Sequence, residues 1–362
     1  MTTDTTPVQA EPTPLLAPTP LTSDEARAYA TLRTDAVWWE AAINWIAFRG
    51  PKAADALNGL VTNDVAALQP GEGCYAAALS PKGKMVTDMV IVRLEHDVFL
   101  MTVLARTAPA WLALARKYVN PRLCTVTDET ERYATWLAYG SSTARVIATL
   151  GGADATAENL TDGMVSALTD WQTWRHAPWN VGRVTVRLIR APLMGELPGF
   201  MILADVADQQ AVQQRFDSAP LFKGTYGLWN VTRIEAGRPL MGVDMDENTI
   251  PQEANLDSLG AISFDKGCYT GQETVARLHF RGHVNKQLRG LLSDTPMPIG
   301  AEIHDANGKL VGRITSSAIS PTRGPVALGM IRREVAPGDA VTVLTPEPVT
   351  ASVAVLPLVG FE

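Results

Sequence analysis

Cysteine is scarce in this chain: Cys74, Cys124 and Cys268 are the only three in 362 residues, far apart and with no CxxC pair. An odd count at that spacing argues against a disulfide framework. It also leaves too few thiolates for a zinc ribbon, or for an iron–sulfur cluster held by four cysteines of this one chain. Free thiols fit the reducing cytoplasm, where the protein is expected. Positive charge is limited as well. With 31 Lys and Arg against 38 Asp and Glu, the net charge is −7. The basic residues are scattered, so no basic field is available to hold a phosphate backbone, and no nucleic-acid partner is expected. Long apolar runs are missing, and the N-terminus lacks a basic segment followed by an apolar core. Neither a membrane span nor a secretory signal is therefore expected. The five histidines suggest no metal site, since His279 and His283 have helical spacing but no further ligand cluster nearby. No GxxxxGK[ST], GxSxG or HExxH occurs, which removes motif support for nucleotide hydrolysis, an α/β-hydrolase triad and zinc proteolysis.

What is present reads as globular: 46% of residues are hydrophobic and 19% charged, over a length that allows two or three domains. Residues 1–22 carry Pro7, Pro12, Pro14, Pro18 and Pro20 among threonines and predict a disordered tail. Thr22-Ser23-Asp24-Glu25 forms a capping-box pattern that opens a helix to about Leu32. Val37 to Phe48 predicts a first strand region, and Gly50-Pro51 starts a short helix to Leu60. Cys74 to Leu79 and Met85 to Leu94 predict a hairpin about the turn at 80–84. A helix over Ala108–Tyr118 follows, then strands at Cys124–Asp128 and Thr135–Ala138 and a helix over Ser141–Leu150. Strands Val184–Arg190 and Phe200–Ala204 pair across Gly195–Gly199, and helices cover Asp208–Phe216 and Gly227–Ala236. Beyond Lys286 only short alternating strands between turn residues remain, the pattern of a small barrel. The predicted class is α+β: one half over 23–135, a second over 136–286, and a C-terminal β-barrel over 287–362.

Several residues are candidates for chemistry. Period-2 alternation in Met85–Leu94 puts Asp88 on the face of Val86, Val90, Val92 and Leu94. A carboxylate on an apolar face is costly unless paired or used, although an edge-strand aspartate leaning into solvent would also satisfy the pattern. Lys266-Gly267-Cys268-Tyr269-Thr270-Gly271-Gln272-Glu273 crowds a thiol, two glycines, a lysine, an amide and a carboxylate into one segment. Lys266 would lower the pKa of a neighbouring thiol and make it nucleophilic; alternatively Cys268 is a small buried hydrophobe in a strand-to-helix turn. Glu196 sits at a hairpin tip where most glutamates are simply solvated. Arg233 fits either a ligand carboxylate or an internal ion pair, with Glu235 as its structural companion. Trp38, Trp39 and Trp45 could wall a flat aromatic ligand.

The segment Lys266–Glu273 resembles the signature of YgfZ-type folate-binding proteins, relatives of the glycine-cleavage aminomethyltransferase (T-protein), and the likeness runs from about Val37 to the C-terminus. It implies two ferredoxin-like, T-protein-like α+β halves and a barrel in a ring, with tetrahydrofolate or a one-carbon-substituted folate in the central opening. Val86 to Val92 resembles the T-protein strand whose aspartate, here Asp88, meets the folate. Glu196 is similar to the glutamate that grips the pterin. Arg233, in Thr232–Gly237, resembles an arginine suited to the glutamyl carboxylates. The resemblance further implies a role in assembly, maintenance or repair of iron–sulfur clusters, with client or assembly proteins as partners. Cys268 would be the working thiol and Lys266 its aid, with Gly267, Tyr269, Gly271, Gln272 and Glu273 completing the signature. Two other functions stay open: an aminomethyltransferase of glycine cleavage, and a non-catalytic folate sensor or scaffold. Whether there is turnover is not set by these residues.

Overall fold

The computed structural model describes residues 17–151 and 162–360, so most of the expected N-terminal tail lies outside the described residues. Three sheets organise the chain. The first is five-stranded and antiparallel, ordered Gly73–Leu79, Met85–Glu95, Val98–Val103, Asn44–Arg49 and Thr125–Asp128. The second is six-stranded, ordered Phe222–Lys223, Val37–Glu40, Tyr133–Tyr139, Gly199–Asp205, Val184–Arg190 and His176–Val181. The third closes into a six-stranded barrel from Lys286–Leu292 to Val349–Ala354.

Local chemistry accounts for the helices. Thr22 and Glu25 close a reciprocal capping box on Ser23–Thr31, which satisfies two otherwise orphan backbone donors. Ala108–Tyr118 begins with Pro109, buries Ala108, Trp111 and Ala115 along one stripe, and ends with Arg116 and Lys117 at the negative end of its dipole. Tyr226–Glu235 is capped by the Thr225 hydroxyl on Leu228 N–H.

One expectation is corrected. The strand region Val37–Phe48 is two strands in different sheets. Val37–Glu40 pairs with Tyr133–Tyr139, while Asn44–Arg49 pairs with Val98–Val103. The expected boundary at residue 135 falls inside the strand Tyr133–Tyr139, and the second sheet takes its second strand from the 23–135 stretch. Pairing of this kind is non-local and leaves no period in the sequence. One apolar cluster joins Trp45, Val92 and Leu100 of the first sheet, Leu137, Ile189 and Met201 of the second, and Leu288, Val326 and Leu328 of the barrel. The three units therefore share a core, and the space between the two sheets becomes the site.

Candidate functional site

A cavity of about 460 Å³ lies between the sheets. Asp88, Val90 and Thr102 of the first sheet form one wall, and Leu193, Met194 and Met201 face them. Trp39, Tyr226 and Trp229 add aromatic surface, and Arg106 and Arg238 add positive charge. Size and an apolar lining with few polar groups suit a small-molecule site.

Asp88 is the polar centre. The Tyr75 hydroxyl donates to Asp88 Oδ2 at 2.7 Å, whereas Oδ1 is buried with no hydrogen-bond partner. Burial raises the carboxyl pKa above the ordinary aspartate value; the Tyr75 bond and the Arg238 charge pull it part of the way back. The Arg238 guanidinium lies 4.0 Å from the centre of the Tyr75 ring, a cation–π contact that links Arg238 to the Tyr75–Asp88 pair. The register explains the pair. Ala77 faces Asp88 and Tyr75 faces Val90, so Tyr75 and Asp88 are diagonal neighbours on one face of the hairpin. A register shift between Ala78 and Leu79, opposite Met85–Thr87, breaks the strict alternation. As a result Val86 packs into the opposite core while Val92 and Leu94 keep to the expected side.

The three early tryptophans diverge. Trp39 borders the cavity and donates its ring N–H to Thr225 O at 2.9 Å. Trp38 stacks on Phe216 in a separate core, and the Trp45 ring N–H is spent on the buried Thr135 hydroxyl. Tyr226 and Trp229 stack at 5.7 Å, with Tyr226 68% exposed at the cavity wall. Sequence reasoning missed Tyr75, Arg106, Arg238, Tyr226 and Trp229. The hairpin register could have found Tyr75; the others come from loops or a helix start with no period to mark them.

Two residues expected to meet the ligand, Glu196 and Arg233, have other surroundings in the structure. Glu196 is exposed at the Gly195–Gly199 turn, outside the cavity lining and near Gly360. Met194 and Leu197 on either side are buried at 1% and 2% exposure; anchoring the turn by those apolar side chains leaves Glu196 turned outward. Arg233 borders the cavity, but its donors are committed elsewhere. They go to Asn230 Oδ1 at 3.0 Å, Arg238 O at 3.3 Å, Asp244 Oδ2 at 2.8 Å and the barrel residue Ser316 at 2.8 Å. Of the two roles open to it, the internal ion pair is the one formed. Glu235 is not its companion: both carboxylate oxygens accept from the Tyr29 hydroxyl.

The signature segment packs on the first sheet's half of the molecule rather than on the second. Cys268 is exposed, whereas Cys74 and Cys124 are buried. Lys266 does not serve the thiol it precedes: its buried ammonium donates to Asn58 O, Val61 O and Asn63 O at 2.7, 2.8 and 2.7 Å. Its charge falls instead on the buried Cys74, whose thiol burial nonetheless pushes up to about 12. Tyr269 is buried, Gly267 has open space around it, and Gly271 adopts φ +82°, where a Cβ would meet Ser80 O at 2.5 Å. Gln272 and Glu273 open the helix Gln272–Arg281. Among the described residues no group of three or more His, Cys, Asp or Glu is arranged to hold a metal, and no helix is long and apolar enough to cross a membrane.

Comparison with known proteins agrees with this architecture. The family model described as GCVT N-terminal domain matches residues 22–266, and the one described as glycine cleavage T-protein C-terminal barrel domain matches residues 286–359. An aminomethyltransferase of Thermosynechococcus vestitus is 32% identical over 294 residues, covering 80% of this chain and 75% of that protein. The tRNA-modifying protein YgfZ of Klebsiella pneumoniae is 30% identical over 275 residues, covering 75% and 74%. In fold, the chain is similar to the crystal structure of the glycine cleavage system aminomethyltransferase T from Bartonella henselae, with a TM-score of 0.79 at 23% identity over 92% and 89% of the two chains.

Proposed function

We propose that this chain, which belongs to the glycine-cleavage T-protein family and is of the YgfZ type, holds a reduced folate in the cavity between its sheets. The observation that carries this reading is Asp88, a residue lining an apolar cavity whose Oδ1 is a buried acceptor without a partner. An acceptor left in that state costs about 1–3 kcal/mol, which a ligand donor would recover. A reduced pterin offers adjacent ring N–H and amino donors, the pattern a carboxylate accepts. Tyr226 and Trp229 offer stacking surface for the aromatic middle of a folate, and Arg106 and Arg238 offer cations for its carboxylates. When bound, tetrahydrofolate would supply one-carbon carrying capacity. The protein's part is to orient the ring through Asp88 and to shield it between the sheets.

Within this reading the chain supports assembly, maintenance or repair of iron–sulfur clusters in client enzymes, and Cys268 is the working thiol. The signature Lys266–Glu273 and the exposure of Cys268 beside two buried cysteines support it. Aminomethyl transfer is the second reading, favoured by the aminomethyltransferase relative at 32% identity, and it would use the same cavity.

Calorimetry with tetrahydrofolate tests the binding claim. Asp88→Asn keeps the side-chain shape and removes the charge, and a hydrogen bond to a charged group is worth about 1.5–3 kcal/mol. Affinity should fall by about 10- to 100-fold. Because the carboxyl pKa is raised, wild-type affinity should also decline on acidification from a pH above the ordinary aspartate range, as the acceptor becomes protonated. Equal affinity in the variant, or a flat pH profile, would remove Asp88 from the contact. Complementation of a deletion strain with Cys268→Ser separates the two functions: loss of iron–sulfur enzyme activity with intact glycine cleavage supports the cluster role, and full rescue defeats it.

A further inference from the structure

The segment that bears the exposed thiol is fastened at several points, to residues 58–63 and to the turn at 80–83. Lys266 Nζ reaches Asn58 O, Val61 O and Asn63 O at 2.7–2.8 Å. Asn58 ends the helix Ala53–Asn58, where carbonyls lack intrahelical partners and the dipole is negative. Thr270 N–H donates to Gly59 O at 3.0 Å, and Thr274 Oγ1 donates to Lys82 O at 3.2 Å. Gly271 is pressed against Ser80 O and Gly83. Between these anchors Gly267 faces open space and Cys268 is exposed.

We infer that Lys266 is a positioning residue: its ammonium is a three-pronged clasp that fixes the thiol loop on the turn at residues 58–63, rather than an electrostatic activator of Cys268. An ammonium carries three donors, and all three are used on backbone oxygens. The titratable groups that act on its ammonium are Asp64 and the buried Cys74 thiol, and Cys268 is not among them. The segment thus divides by role. Lys266, Thr270, Gly271 and Thr274 fasten it, and Gly267 and Cys268 are what it displays. This inference does not depend on folate binding.

The test uses the full chain and two readouts: the pH profile of Cys268 alkylation, read by mass spectrometry, and amide deuterium exchange at 58–63 and 266–271. Lys266→Met should speed exchange in both segments by about tenfold or more, the equivalent of losing one hydrogen bond to a charged group. The midpoint of the alkylation profile should stay where the wild type has it. A midpoint moved upward with exchange unchanged would make Lys266 an activator and overturn the inference. Should Lys266→Met fail to fold, Lys266→Arg decides. A planar guanidinium cannot converge on three carbonyls as an ammonium does, so exchange should again rise despite the retained charge; wild-type exchange in that variant would refute the clasp.

Discussion

Replacing Arg233 with Met separates a structural arginine from a ligand-binding one. Arg233 and Asp244 form an ion pair at 2.8 Å with side chains only 2% and 0% exposed. Removing one partner of such a pair strands a buried charge and costs about 3–5 kcal/mol. Asp244 keeps other donors, from the Thr315 and Ser316 hydroxyls and Leu240 N–H, which places the loss near the lower end, about 3 kcal/mol. At about 2.1 cal/mol/K of unfolding entropy per residue, a chain of 362 residues should lose about 4 °C of melting temperature. The damage should centre where the helix Tyr226–Glu235 meets the barrel, because Ser316 belongs to the barrel strand Leu310–Ser320. Differential scanning calorimetry and tetrahydrofolate titration at a temperature where the variant is folded give the two numbers needed. In the double variant Arg233→Met/Asp244→Leu no unpaired charge remains, but the Thr315 and Ser316 hydroxyls and Leu240 N–H lose their acceptor, so little of the loss should return. A variant that keeps its melting temperature but loses folate affinity would refute the structural role and restore Arg233 as a ligand contact.

Further outcomes are accessible with simple assays. Limited iodoacetamide treatment should modify Cys268 well before Cys74 or Cys124, because only Cys268 is exposed and burial raises the pKa of both other thiols; equal rates by peptide mass spectrometry would contradict the placement of the loop. Gly199→Ala should destabilise by about 1–3 kcal/mol, because the added Cβ would fall inside the fully buried Tyr139 ring, whose hydroxyl is held by Ala191 O; an unchanged thermal midpoint would count against that packing.

Elements governed by neighbours in sequence were legible. The helix Ala108–Tyr118 has the expected bounds, and the hairpin Gly73–Leu79 with Met85–Glu95 lies within one residue of expectation at each end. Their signals are an amphipathic stripe, a proline at the helix start and a five-residue turn. The barrel itself was readable from its short alternating strands, although Glu302–His304 is too short to alternate visibly. Val98–Val103 follows the preceding strand after only two residues, and His176–Val181 contains Pro178, a residue that weakens a strand reading. The helix Gln272–Arg281 begins inside the signature, at a left-handed Gly271 with no side-chain cap; Thr270 with Glu273 three residues on was the start signal available to the sequence.

The candidate site was legible only in part, and the misreadings share a cause. Asp88 could be found because a carboxylate on an apolar face is conspicuous within its own strand. Lys266 and Arg233 were assigned partners by sequence proximity or by resemblance, yet a long side chain reaches whatever the fold brings within about 6 Å, not what adjoins it along the chain. Lys266 crosses some two hundred positions to reach carbonyls at 58–63, and Arg233 crosses to Ser316 of the barrel. Both are charges taken out of water, and burying a charge is costly unless it is paired or well hydrogen-bonded. Lys266 meets that condition with three distant backbone carbonyls, and Arg233 with Asn230, Arg238 O, Asp244 and the barrel residue Ser316. Lys266 and Arg233 thus report which segments they join, whereas Asp88, a cavity-lining residue, keeps a buried oxygen without a partner.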